Sequence, residues 1–165
     1  MLSVLQRFKK IFTDVIVWIC AIACLGILLL NVYNVLARYL LGGAFIYTED
    51  ITVIGMLWIM GLGVGVGWMN REHLLINLID NILKPRGLEI LLFILDFVGL
   101  GAGFVMVYLG RITQSINKGL TQSAIGFDES FRYWPVVVGG VLLVVGAAEC
   151  IAEQILKWHK GGKKE

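Results

Sequence analysis

Asp96 and Glu149 are the residues whose chemistry asks the first question, because each carboxylate sits inside an apolar run, "ILLFILDFVGLG" and "VVGAAECIAEQIL". An ionised carboxylate is costly in hydrocarbon, so each acid must be protonated, hydrogen-bonded to a neighbour, or paired with a cation from a different chain. Neither run offers a basic residue at that level, and an uncharged acid in a helix contact is a commoner arrangement than a proton relay. The two histidines, His73 and His159, both fall outside the apolar runs. That placement argues against a membrane haem held by two imidazoles, and no further nitrogen or thiolate stands at zinc-ligand spacing. Cys20, Cys24 and Cys150 all lie within apolar runs, where burial makes a thiol inert and helical backbones hold side chains poorly for a disulfide. No nucleophile is accompanied by a base and an orienting group, so the sequence offers no catalytic constellation, cofactor site or metal site.

The stretch "GLGVGVGWMNREH" from Gly61 to His73 has the look of a phosphate-cradling loop. Such a loop needs a lysine and a hydroxyl after its last glycine, or a strand before it. Here Trp68 follows Gly67 and an apolar helix-length run precedes Gly61, so both motifs fail. On a helix, Gly61 and Gly65 share one face while Gly63 and Gly67 share nearly the opposite one. Each pair is a small-xxx-small contact that lets another helix approach closely. The span is thus smooth on two sides, and fits between two neighbours inside this subunit or one inside and one outside it.

A second polar group gathers around the first interspan loop. Asn31, Asn34 and Arg38 recur at intervals of three and four, and the amides there want hydrogen-bond partners. Across the loop, "YTED" supplies Thr48, Glu49 and Asp50. Thr48 can serve as an N-cap, and acids in a first turn are favoured by the helix dipole. An ion pair from Arg38 to Glu49 or Asp50 would tie the first two spans together; contact with another polypeptide is the other use for these groups.

The elements that must hold these residues follow from composition. Of 165 residues, 58% are hydrophobic and 16% charged, which places the chain in a membrane. A bilayer core of about 30 Å needs roughly 20 helical residues, and four runs qualify, at about 15–37, 45–69, 90–110 and 135–156. The first is too long for a signal peptide and is followed by no cleavage site. Two amphipathic helices are expected on the membrane surface, at about 2–12 and 74–84. Ten of the fourteen lysines and arginines fall on one side, so both termini are expected in the cytoplasm. The fold class is therefore all-α: a single membrane domain of four transmembrane helices with interfacial segments. No internal repeat of the kind that builds a transporter core is visible.

Read in order, "RY" at Arg38 and Tyr39, "TED" at Thr48 to Asp50, "WIMG" from Trp58 to Gly61 and "REHLLIN" from Arg71 to Asn77 resemble the small membrane subunit of TRAP transporters, the tripartite ATP-independent periplasmic carriers. Pro135, opening the last span, fits the same pattern. Tyr47 stands where that family usually has tryptophan, Asp50 replaces a glutamate, and Asn77 replaces a common aspartate, which removes a charge. The resemblance implies an accessory subunit of the bacterial inner membrane that widens the stationary scaffold of a large permease. That permease would carry out sodium-driven, elevator-type uptake of an organic anion delivered by a periplasmic binding protein. Arg38, Tyr39, Glu49, Asp50, Trp58, His73 and Pro135, with Gly61, Gly65 and Asp96, are then structural or intersubunit contacts. No nucleic-acid partner is expected. A membrane anchor of a redox enzyme complex, or a small exporter acting as a dimer, would also be short and multi-span.

Overall fold

The computed structural model describes residues 2–70, 85–121, 126 and 128–161. Among them are four α-helices and no strand: α1 (Leu2–Leu40), α2 (Thr48–Met69), α3 (Pro85–Ile116) and α4 (Trp134–Gly161), with a short 3-10 helix at Glu129–Tyr133 before α4. Each α-helix contains a stretch long and apolar enough to cross a bilayer. Helices are forced on such a chain, because hydrocarbon offers no partner for an unpaired backbone N–H or C=O.

Packing centres on α4, which lies against both α2 and α3, while α1 leans on α2. The buried apolar residues follow the same arrangement: Val137, Leu143, Ala147 and Cys150 are buried on α4, and Val66 and Met69 on α2. Lipid supplies no hydrophobic drive between helices, so close approach must come from small residues, and α4 carries Gly139, Gly140 and Gly146 on its packed surface. Pro135 falls in the first turn of α4, where its missing N–H breaks no helical bond. α1 stops before Gly42, whose φ of +68° is the left-handed conformation that commonly ends a helix.

The boundaries differ from the sequence reading in informative ways. No break separates the amphipathic segment at 2–12 from the first span, since α1 runs unbroken through Thr13. The segment "IFTDV" holds no helix breaker, and the Thr13 hydroxyl bonds back to the Lys9 and Lys10 carbonyls at 3.1 and 3.0 Å. That bonding continues the helix rather than ending it. The second span starts at Thr48 rather than Phe45, and Tyr47 takes the cap position without a side-chain bond. Thr48 is therefore not the N-cap; it is buried in the first turn, and its hydroxyl has no hydrogen-bond partner among the described residues. The surface helix expected at 74–84 lies outside the described residues.

Candidate functional site

Three fasteners hold α2 to the rest of the bundle, and all start from one stripe of that helix. Asp50, Gly61, Gly65 and Trp68 are separated by eleven, four and three residues, which at about 100° per residue places them within a narrow sector.

The first fastener is electrostatic. Asp50 Oδ1 accepts a hydrogen bond from the Arg132 guanidinium at 2.9 Å, and the same side chain reaches Glu129 at 3.5 Å. The 3-10 helix positions this arginine, and Asp128 caps that helix by accepting from the Ser130 amide at 3.0 Å. Asp128 also accepts from the Gly119 amide at 3.1 Å, drawing the end of α3 toward the start of α4. These two amides, Ser130 first and Gly119 second, hold the Asp128 carboxyl below its ordinary pKa.

The expected pair from Arg38 to Glu49 or Asp50 is not formed. Arg38 and Glu49 are exposed, and neither makes an ion pair among the described residues. The cation on Asp50 comes instead from α4's leading segment, because α2 turns its Asp50 stripe toward α4 and not toward α1. What joins α1 to α2 is amide chemistry. Asn31 Nδ2 donates to Thr52 Oγ1 at 2.9 Å and to the Ile27 carbonyl at 2.8 Å, while Asn34 Oδ1 accepts from the Phe45 amide at 2.8 Å.

The second fastener is steric. A Cβ added at Gly61 would collide with the Pro135 carbonyl, and one at Gly65 with the Leu142 side chain. On the opposing helix, a Cβ at Gly139 would stand 2.7 Å from the Cα of Gly61. Two residues singled out from sequence, Gly61 and Pro135, thus meet across the α2–α4 crossing. Beyond Gly63 and Gly67 there is open space.

The third fastener surrounds Asp96, which is buried on α3. Its Oδ1 accepts from Trp68 Nε1 and its Oδ2 from Gln154 Nε2, both at 3.2 Å, so one carboxylate joins α2, α3 and α4. Gly99, one turn along from Asp96, leaves room for the Trp68 ring, which a Cβ there would overlap. Of the routes open to a membrane acid, Asp96 takes hydrogen bonding. Glu149 is ion-paired, and the cation comes from this chain and not from a different one as expected: Lys9 Nζ lies 3.1 Å from its Oε2, a charge contact whose geometry is not that of a hydrogen bond. The cation that the Glu149 run lacks arrives from the first turns of α1, which stay helical and extend beyond the span.

Of the remaining residues picked from sequence, Tyr39 is 81% exposed at the end of α1 and Trp58 is half-buried on α2. His73 and the side chain of His159 lie outside the described residues. Sequence reasoning missed Arg132, Gln154, the Lys9–Glu149 pair and the bond from Trp68 to Asp96. A signal for Trp68 existed: an indole N–H near the end of a span needs an acceptor, and the nearby glycine at 99 makes a place for the ring.

Among the described residues, no group of three or more histidine, cysteine or acidic side chains is placed to hold a metal ion. The arrangement offers helix-to-helix attachment on one side and unused surfaces on the other. Comparison with known proteins accords with this. Residues 27–157 match the family described as "Tripartite ATP-independent periplasmic transporters, DctQ component". A protein of Haemophilus influenzae described as a TRAP transporter small permease is 26% identical over 126 residues, covering 74% of this chain and 78% of that one. The chain belongs to the DctQ family, and is a small membrane subunit of a TRAP transporter.

Proposed function

We propose that this DctQ-family chain is a stationary scaffold that enlarges the membrane footing of a large permease subunit and takes no part in binding the solute. The transporter so formed imports an organic anion with sodium, received from a periplasmic binding protein, across the bacterial inner membrane, with both termini of this chain in the cytoplasm. The observation that carries this reading is the contrast within α2. Its Asp50–Gly61–Gly65–Trp68 side is fastened, whereas Gly63, Gly67, Met56 and Met60 are left uncovered by the described residues. Small residues on an uncovered face admit a further helix. Arg38 and Glu49, exposed at the end of α1 and the start of α2, are available to polar groups of that neighbour.

The test is reconstitution. Tagged chain is expected to copurify with one large multi-span protein, and proteoliposomes holding both to accumulate solute under a sodium gradient when the binding protein is added. Uptake by this chain alone, or by the large subunit alone at the full rate, would remove the scaffold role. Fluorescence quenching of dyes on either terminus by a membrane-impermeant reagent in right-side-out vesicles checks the orientation. Quenching of either terminal dye counts against it.

A further inference from the structure

Where α3 ends and α4 begins, Arg111, Gln114, Ser115, Lys118, Ser130 and Trp134 line an open cavity of about 470 Å³. Its lining holds two cations, two hydroxyls, an amide and an indole, and no acid among the described residues. The acids nearby are already engaged. Asp128 accepts from the Ser130 and Gly119 amides, and Glu129 is turned to Arg132. Lys118 shares the field of Asp128, but Arg111 makes no ion pair or hydrogen bond among the described residues. An unpaired guanidinium beside hydroxyl and amide donors suits a phosphate oxygen, which it can bind through two parallel N–H groups.

Placement decides which phosphate. Phe104, Tyr108, Arg111 and Ser115 on α3, and Lys118 in the turn that continues it, follow one another at intervals of three and four, forming one stripe. All five are exposed, with Phe104 and Tyr108 uncovered by the other described residues. The stripe is apolar toward the middle of the span and basic at its end. Trp134, 43% exposed at the rim, is of the type that settles at headgroup level. A soluble phosphate ester would use only the basic end, and an acidic protein surface would have no use for an aromatic wall running down into the bilayer. A phospholipid uses both.

We propose that this cavity binds the phosphate of an anionic phospholipid in the leaflet at the Arg132 end of the bundle, with Arg111 and Lys118 as the charge partners and Phe104 and Tyr108 along the acyl chain. The inference is independent of the transporter reading and needs only that the four helices span a bilayer.

The test is native mass spectrometry of the full-length chain, alone and with any membrane subunit that copurifies, released from detergent containing defined lipid. Phosphatidylglycerol is expected to be retained about tenfold or more over phosphatidylcholine, since each basic residue near an anionic headgroup adds about fivefold in affinity and two act together here. Arg111→Gln/Lys118→Gln should abolish the preference, Arg111→Lys should keep most of it, and Lys10→Gln, at the other end of the bundle, should leave it intact. Circular dichroism and melting of each variant establish that it is folded; Arg111→Gln alone, measured the same way, serves if the double variant is not. Equal retention of the two lipids by the wild type, or undiminished phosphatidylglycerol on the folded Arg111→Gln variant, would overturn the proposal. Displacement of the lipid by an equal concentration of glycerol 3-phosphate would also overturn it, in favour of a soluble phosphate ester. So would unchanged lipid binding together with lost capture of the soluble binding protein, in favour of an acidic protein surface.

Discussion

The two glycine pairs of α2 have the same spacing and different fates. Gly61 and Gly65 lie under α4, with no room for a Cβ, whereas Gly63 and Gly67 face open space. The pair itself does not decide this. What differs is the opposing surface. α4 presents Gly139 and the carbonyl of Pro135 to the first pair, and polar fasteners at both ends of the same stripe, Arg132 on Asp50 and Asp96 on Trp68, hold the crossing in register. No such set faces Gly63 and Gly67 among the described residues. A small-xxx-small pair permits contact, and the complementary surface with its end fasteners makes it.

Filling the closed side should have the largest effect. Gly61→Leu drives a side chain into backbone that cannot yield, and is expected to destabilise the chain by about 3 kcal/mol or more, read as a lowered thermal midpoint in detergent or failure to purify. A normal melt would show that the crossing is not the tight contact described. Next is Asp96→Ala, which leaves the Trp68 indole and the Gln154 amide without their acceptor at a cost of about 2 kcal/mol. Quenched or shifted Trp68 emission, measured in a variant lacking the other tryptophans, would confirm that the ring has lost its partner. Arg132→Ala releases a part-buried Asp50 and should cost about 1–2 kcal/mol. Reversal by Asp50→Asn in the same chain, seen as a coupling of about 1 kcal/mol or more in a double-mutant cycle, would attribute the loss to that ion pair.

On the open side the expectation inverts. Gly63→Leu should change the melting of the isolated chain by less than about 0.5 kcal/mol, yet reduce recovery of the two-subunit complex. Equal recovery would show that this face meets only lipid. The smallest effect concerns the loop that positions Arg132. Because the folded Asp128 carboxyl titrates below its ordinary value of 3.8, its contribution is present above that pH and is lost as pH falls through the lower folded value. Hydrogen exchange at the Gly119 and Ser130 amides should be slow above pH 4 and accelerate, relative to the intrinsic rate, only below about that value.

The four spans, the two-sided glycine pattern and the need of Asn31, Asn34 and Asp96 for partners were all legible in the sequence, because each follows from the cost of polar groups and bulky side chains in hydrocarbon. The partners themselves were not. Arg38 is closer to Asp50 along the chain than Arg132 is, so sequence proximity favoured the wrong cation; which arginine reaches Asp50 depends on the rotation of α2 about its axis, set by the Gly61–Pro135 contact. Lys9 was assigned to a surface helix because its neighbours are amphipathic. Whether the chain bends there depends on a break that Thr13 does not supply. Gln154, a neutral amide one turn beyond Glu149, drew no notice beside the charged residue, although it supplies one of the two hydrogen bonds to Asp96.

The Arg132–Asp50 and Lys9–Glu149 ion pairs mark two waterlines. Along α4 and its leading turn they are seventeen residues apart, or about 26 Å at the helical rise, close to the roughly 30 Å of a hydrocarbon slab. Charged pairs resist immersion, so the slab must fit between them, and the chain gauges membrane depth by its own draught marks. Gln154 lies past the second mark, so its bond to Asp96 ties the three helices together at that end of the slab.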